Sequence, residues 1–328
     1  MISPSCPNEA CIQSIGSPAK VVRHGFFRVR CGRRRRYRCR GCGRTFSART
    51  NTPYFGLGCS SRAFERVAHL SVEGMSCAAI ARVEGIAWHT ADRWLAIAAG
   101  LAQQFNERHV HGIPLIELQA DELRTFAPCK AKPTWVFTSM EVCSRLWSST
   151  VVGRRSYANT KALFSDTLLR GEVIGTPLIM TDGFKFYERV IRRLFGVVCI
   201  YAQVIKTWRK NRVTRVECRA VIGTTSRLER ALDESEDSAH ANTAYIERLN
   251  LTIRQSVAYL RRRSPSHARC ERRLHRQLEL ARCHYNFIRR HTGLRFGREL
   301  QTPAMVAGLR DRVCSFRDVF AFAYINSE

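Results

Sequence analysis

The chain has 328 residues, 45% of them hydrophobic, and its 54 lysines and arginines outnumber 27 aspartates and glutamates, giving a formal charge of +27. That length allows roughly two domains with sizeable cores, and the near-average composition excludes a disordered basic tail, a collagen and a coiled coil. A folded protein so basic repels itself unless it meets a polyanion, which makes nucleic acid the expected partner.

Residues 1–62 carry thirteen basic side chains and one acid, Glu9. Five of the fourteen cysteines lie within the first 42 residues; the other nine are scattered singly and read as small buried hydrophobes. Cys6-Pro-Asn-Glu-Ala-Cys11 and Cys39-Arg-Gly-Cys42 form two knuckles, a spacing that turns thiolates toward one tetrahedral ion and suits structural zinc. The segment is too small to build its own core, so metal binding would supply its folding energy. Cys31 is a spare thiol that could replace Cys11. Arginines 33 to 36, with their neighbours, would line this ribbon where phosphates are the counterpart.

From Arg62 to Leu101 the pattern turns helical. Ser76 to Glu84, a turn at Gly85, and a new helix near His89-Thr90 are what two helices meeting across a tight turn require. His89, Thr90 and Arg93 would lead the second helix into a major groove. An ordinary three-helix packing unit explains the same pattern, but the basic ribbon in front favours DNA: the ribbon tracks phosphates and the helix reads bases.

After a linker through Asn106 to Pro114, five strands are readable: Leu115 to Phe126, Trp135 to Met140, Leu146 to Val152, Leu178 to Asp182 and Val197 to Val204. Helices at Asn159 to Leu169 and Lys185 to Phe195 alternate with the later strands, which predicts an α/β mixed sheet with flanking helices. Glu229 to Asn242 reads as a loop or insertion. Two long arginine-rich helices follow, Thr243 to Arg263 and Pro265 to Arg290. The expected divisions are residues 1–55, 60–105, 111–263 and 264–328. The longest nearly apolar stretch, Leu194 to Ile205, is too short to span a bilayer. Met1 to Cys6 lacks a secretory signature, so a cytoplasmic, nucleoid-associated location is expected.

In an acid-poor region, acids on core-like elements are conspicuous. Asp121 sits on the first strand, Asp182 ends the fourth before Gly183, and Glu247 lies in the first turns of the arginine-rich helix. Three such acids could hold two magnesium or manganese ions about 4 Å apart, one activating a water or 3′-hydroxyl and the other stabilising the leaving oxygen. Glu247, Asn250 and Arg254 share one helix face at i, i+3 and i+7, so Asn250 and Arg254 could hold the glutamate and grip a phosphate. Glu117 and Glu122 compete with Asp121, because a one-residue slip would turn either inward.

Taken together these residues resemble the DDE transposases of bacterial insertion sequences, of the insertion-sequence-one type. The resemblance rests on Cys6 with Cys11, Arg36 to Ser47, Thr52-Pro-Tyr54, Ala120 to Phe126, Thr181-Asp-Gly183 with Tyr187, and Tyr201 to Lys206. It continues through Tyr245 to Arg254, Cys283 to Phe287, His291 and Thr302 to Met305. It implies a ribonuclease H-like catalytic domain with Asp121, Asp182 and Glu247 as its acids. It also implies a zinc ribbon and helix-turn-helix that bind terminal inverted repeats, and magnesium-dependent end cleavage and strand transfer. Pairing two DNA ends calls for a homodimer or higher oligomer. The competing expectation is a DNA-binding repressor, or an inactive copy, whose C-terminal half only scaffolds.

Overall fold

The computed structural model describes residues 6–8, 10–11, 21–30, 32–210 and 212–325. At the N-terminus, β1 (Val21–Val29), β2 (Gly32–Cys39) and β3 (Thr45–Phe46) form an antiparallel three-stranded ribbon. Its pairing sets Arg28 against Arg33 and Phe27 against Arg34. Like charges directly opposite each other are unfavourable, so this surface is poised for an anion.

Three helices follow: α1 (Ser61–Val72), α2 (Cys77–Val83) and α3 (Trp88–His109). Ser60 and Ser76 begin the first two by accepting hydrogen bonds from Ala63 N and Ala79 N. Gly85, at φ +61°, makes the turn between α2 and α3, a conformation that side-chain-bearing residues rarely adopt. The expected linker after Asn106 is instead the end of α3, because Phe105 and Asn106 are buried and hold the helix to His109.

The central layer is a six-stranded mixed sheet in the order β6-β5-β4-β7-β8-β9, where five strands were expected. Its members are β4 (Ile113–Phe126), β5 (Pro133–Glu141), β6 (Leu146–Gly153), β7 (Gly171–Thr181), β8 (Ile200–Arg209) and β9 (Arg212–Ile222). The first three are antiparallel neighbours, β7 and β8 run parallel to β4, and β9 returns antiparallel. β9 has no strand signature because residues 212–219 are exposed on both faces, so nothing imposes alternation. α4 (Tyr157–Arg170) and α5 (Lys185–Phe195) cover one face, burying Leu163, Phe164, Tyr187 and Ile191 with Ala120, Phe137 and Tyr201.

The other face is covered by α7 (Ala244–Ser256), whose Ile246, Leu249 and Ile253 meet Leu123, Val136 and Met140. Before it, α6 (Thr225–Asp233) buries Leu228, so the first five residues of the expected loop are helical. Ser238 anchors the rest on the buried Glu117. The arginine-rich helices are shorter than expected. α7 stops at Ser256, and α8 spans Glu271–Cys283 before a wider π turn at His284–Ile288. Between them, Val257 is extended and Pro265 interrupts the chain. α9 (Pro303–Val306) and α10 (Phe316–Ile325) close the chain. One buried cluster runs from Leu57 through Trp94 and Phe164 to Phe320, so the three early helices share a core with the sheet and the C-terminal helices. Among the described residues, no helix is long and apolar enough to cross a membrane.

Candidate functional site

Among the described residues, two clusters of ligand atoms are close enough to hold a metal ion. The first is Cys6, Cys11, Cys39 and Cys42. Cys6 Sγ lies 3.6 Å from Cys42 Sγ, and Cys11 Sγ lies 3.7 Å from Cys39 Sγ. A zinc ion about 2.3 Å from each sulfur puts tetrahedral neighbours roughly 3.8 Å apart, whereas a disulfide needs about 2.05 Å. These thiols therefore fit a closed zinc site. Backbone amides tune them: the Cys42 amide lowers the Cys39 thiol, and the Arg44 amide draws Cys42 down to about 6. Burial raises Cys6 to about 12. Gly43, at φ +72°, lets the chain turn back so that its N–H donates to the Cys39 carbonyl. Phe46 and Tyr37 stack beneath the thiols. Cys31 lies outside the described residues.

The second cluster forms where β7 ends alongside the middle of β4. Ala120 pairs with Thr181 in parallel register, so Asp121 and Asp182 follow on neighbouring strands. Asp121, Glu122 and Asp182 bring carboxylate oxygens within 4.8 Å of one another. Asp121 Oδ1 accepts from Glu122 N at 2.8 Å, and its Oδ2 accepts from Asn250 Nδ2 at 2.7 Å. Asn250 is aimed by Thr138, whose hydroxyl donates to Asn250 Oδ1 at 3.1 Å. Asp182 Oδ1 accepts from Phe184 N at 3.0 Å, an Asx turn that fixes the carboxylate at the strand end.

Glu122, read from sequence as a rival to Asp121, stands beside it on the other face. Its carboxylate is already engaged, by the Arg155 guanidinium and by the Tyr187 hydroxyl at 2.7 Å. Burial, then the negative Glu122, pushes Asp121 up to about 7. Burial also raises Glu122, and raises the fully enclosed Tyr187 well above its ordinary range. Clustered acids of this kind are relieved by a divalent cation. Glu117 occupies neither place: it is buried at the far end of β4 under Ser235 and Ser238.

Glu247 lines the same cavity as Asp121 and Asp182, a volume of about 660 Å³. Its carboxylate does not join the close cluster. Thr243 Oγ1 donates to it at 2.5 Å and Lys206 Nζ pairs with the same oxygen. The lysine and glutamate side chains are 27% and 48% exposed, and such a pair is worth about 0–1 kcal/mol. An adjoining cavity of about 540 Å³ is lined by Asp121, Glu122, Glu247, Asn250 and Arg254. Burial, and then Arg262, lowers the Arg254 guanidinium, while Asp121 acts in the opposite direction.

His89 and Arg93 are exposed near the start of α3, and Thr90 is half-buried. Arg273 of α8 reaches over the Trp88 ring and pairs with Asp92, so α8 flanks this helix start. On the ribbon, Arg33 and Arg36 are exposed, and Arg35 lies over Phe26 at 4.2 Å. Arg34 is committed elsewhere, donating to the Leu57 and Cys59 carbonyls at 2.6 and 2.7 Å and tying the ribbon to the segment that leads into α1. Arg155 and Thr138 carry no signal in the sequence that would have placed them around the acids, whereas Tyr187 is singled out with Thr181-Asp-Gly183 only through the resemblance. No protein-family model matches this chain, and no curated protein matches it.

Proposed function

We propose that the chain is a DNA transposase that binds the terminal repeats of its element and cleaves and joins DNA with a divalent metal. The observation that carries the reading is the placement of Asp121 on β4 beside Asp182 at the end of the neighbouring parallel strand β7, with Glu247 of α7 facing their cavity. The strand order, with three antiparallel strands and two parallel ones beside the first, is the order expected of a ribonuclease H-like layer. Asp121, Asp182 and Glu247 would hold magnesium or manganese. When bound, such ions acidify a water or a 3′-hydroxyl and neutralise charge on the leaving oxygen.

The chain's own residues do the rest. Asn250 and Thr138 hold the Asp121 carboxylate in one orientation. Arg155 and Tyr187 occupy Glu122, which leaves its charge as a fixed negative neighbour of Asp121. Lys185, Lys206 and Arg254 supply positive charge to a phosphate at the cavity mouth. The zinc ribbon and the start of α3 present Arg33, Arg36, His89 and Arg93 to DNA, tracking phosphates with one module and bases with the other.

A second reading, a DNA-binding protein without catalysis, draws on the Lys206–Glu247 pair, which occupies the third acid. Labelled duplexes carrying inverted repeats, incubated with magnesium, separate the two. Cleavage is expected for the wild type and is expected to fall by about 10²–10³-fold or more in Asp182→Asn with DNA affinity retained. Binding without cleavage under any divalent metal would leave only the second reading.

A further inference from the structure

Beyond its last pairing with β7, the β8–β9 hairpin leaves the sheet. β7 ends at Thr181, opposite Gln203, yet β8 continues to Arg209 and β9 pairs back along it from Arg212. Residues 204–209 therefore run on past the end of β7, where Asp182 sits beside Asp121, a reach of about 20 Å at ~3.4 Å per residue. Val204, Ile205 and Lys206, at the foot of this hairpin, line the acid cavity. Residues 212–219 are exposed at every position, so packing does not explain the composition of this arm. Arg209, Lys210 and Arg212 cluster at its tip, all exposed, and none forms an ion pair among the described residues. A flanking Arg215 is only loosely paired, 3.5 Å from Glu217.

We infer that the β8–β9 hairpin is a DNA arm that holds a duplex against the acid cavity, with Arg209, Lys210 and Arg212 on backbone phosphates. A two-stranded β-ribbon fits a major groove about 12 Å wide, and free cations at the tip match a polyanion. A second copy of the chain is the other occupant an edge strand invites. Arg212, Arg215 and Arg219 along β9 would set like charge against like charge in that pairing. The inference rests on the DNA-processing reading and adds to it a third grip, placed at the cavity itself and separate from the zinc ribbon and α3.

The test compares the full-length wild type with the triple variant Arg209→Ala, Lys210→Ala, Arg212→Ala on a mixed-sequence linear duplex across a potassium chloride series. Three lost phosphate contacts should flatten the log–log salt slope by about 2.7, at roughly 0.9 per contact. Thermal melting and zinc content should not change, because the substituted side chains are exposed. A triple lysine and arginine swap (Arg209→Lys, Lys210→Arg, Arg212→Lys) should restore the slope. An unchanged slope in the alanine variant overturns the arm, and so does a loss of self-association with the slope intact. If the wild type binds DNA but never cleaves it, the transposase reading fails while the slope still decides the arm. If the wild type cleaves and the variant's slope is unchanged, the arm alone fails.

Discussion

Four thiols at Cys6, Cys11, Cys39 and Cys42 converge on one point at tetrahedral spacing, whereas the carboxylates of Asp121, Asp182 and Glu247 face an open cavity. The thiol site is saturated by its own chain and leaves no position for a substrate, which suits a structural ion. The acid site gathers hard oxygen donors, leaves room beside them, and holds Asp121 against its preference for a proton. A site that stabilises its fold and one that strains it are built from opposite choices: soft ligands closed off, hard ligands crowded and open.

The contrast breaks most visibly at zinc. Cys39→Ser should abolish zinc binding and melt the ribbon, since structural zinc contributes about 10–16 kcal/mol in small domains. Native mass spectrometry reads the metal, and hydrogen exchange should show new lability confined to β1–β3. Protection unchanged there would contradict a metal-built ribbon.

Next in size is the division of labour among the glutamates. Glu122 already has partners on both oxygens, while Glu247, about half exposed, is held by Lys206. Glu247→Gln should cut cleavage by about 10²-fold or more and Glu122→Gln by about tenfold or less. The reverse order would mean that the buried glutamate is the third ligand.

The smallest effect has an unusual sign. Asp121 is raised to about 7, so its ionisation costs stability as pH climbs from about 4 through about 7. Asp121→Asn should therefore melt higher than the wild type at pH 8 in EDTA, by about 2–4 °C per kcal/mol relieved. The gap should close near pH 4, where both side chains are neutral, and shrink when magnesium is added to the wild type. Equal melting at pH 8 would remove the strain from the picture.

Much of this contrast was legible in the residues themselves. Paired cysteines three and five positions apart announce a knuckle, and an aspartate closing a strand before Gly183 announces a crevice. The hydrophobic alternation around Asp121 gave its strand, and the i, i+3, i+7 spacing put Asn250 on the face that meets it. What stayed hidden depends on partners distant in the chain. Lys206 and Glu247 lie 41 residues apart, and no local pattern marks their pairing. β9 was hidden for another reason: an arm that projects from a sheet has no buried face to impose a period. Arg34 looked like its neighbours, and only the fold turns it toward the Leu57 and Cys59 carbonyls.

α3 carries a consequence for where a cut would fall. Trp88–His109 is one unbroken helix of about 33 Å at 1.5 Å per residue. Its inner end is bolted down by Asn106, whose Nδ2 donates to both the main chain and the carboxylate of Glu279. On the proposed reading, that rod works as a ruler: the base pairs gripped at its outer tip stand at a set offset from the strand ends. The scissile position is then measured out by helical rise, with no slack tether to blur it.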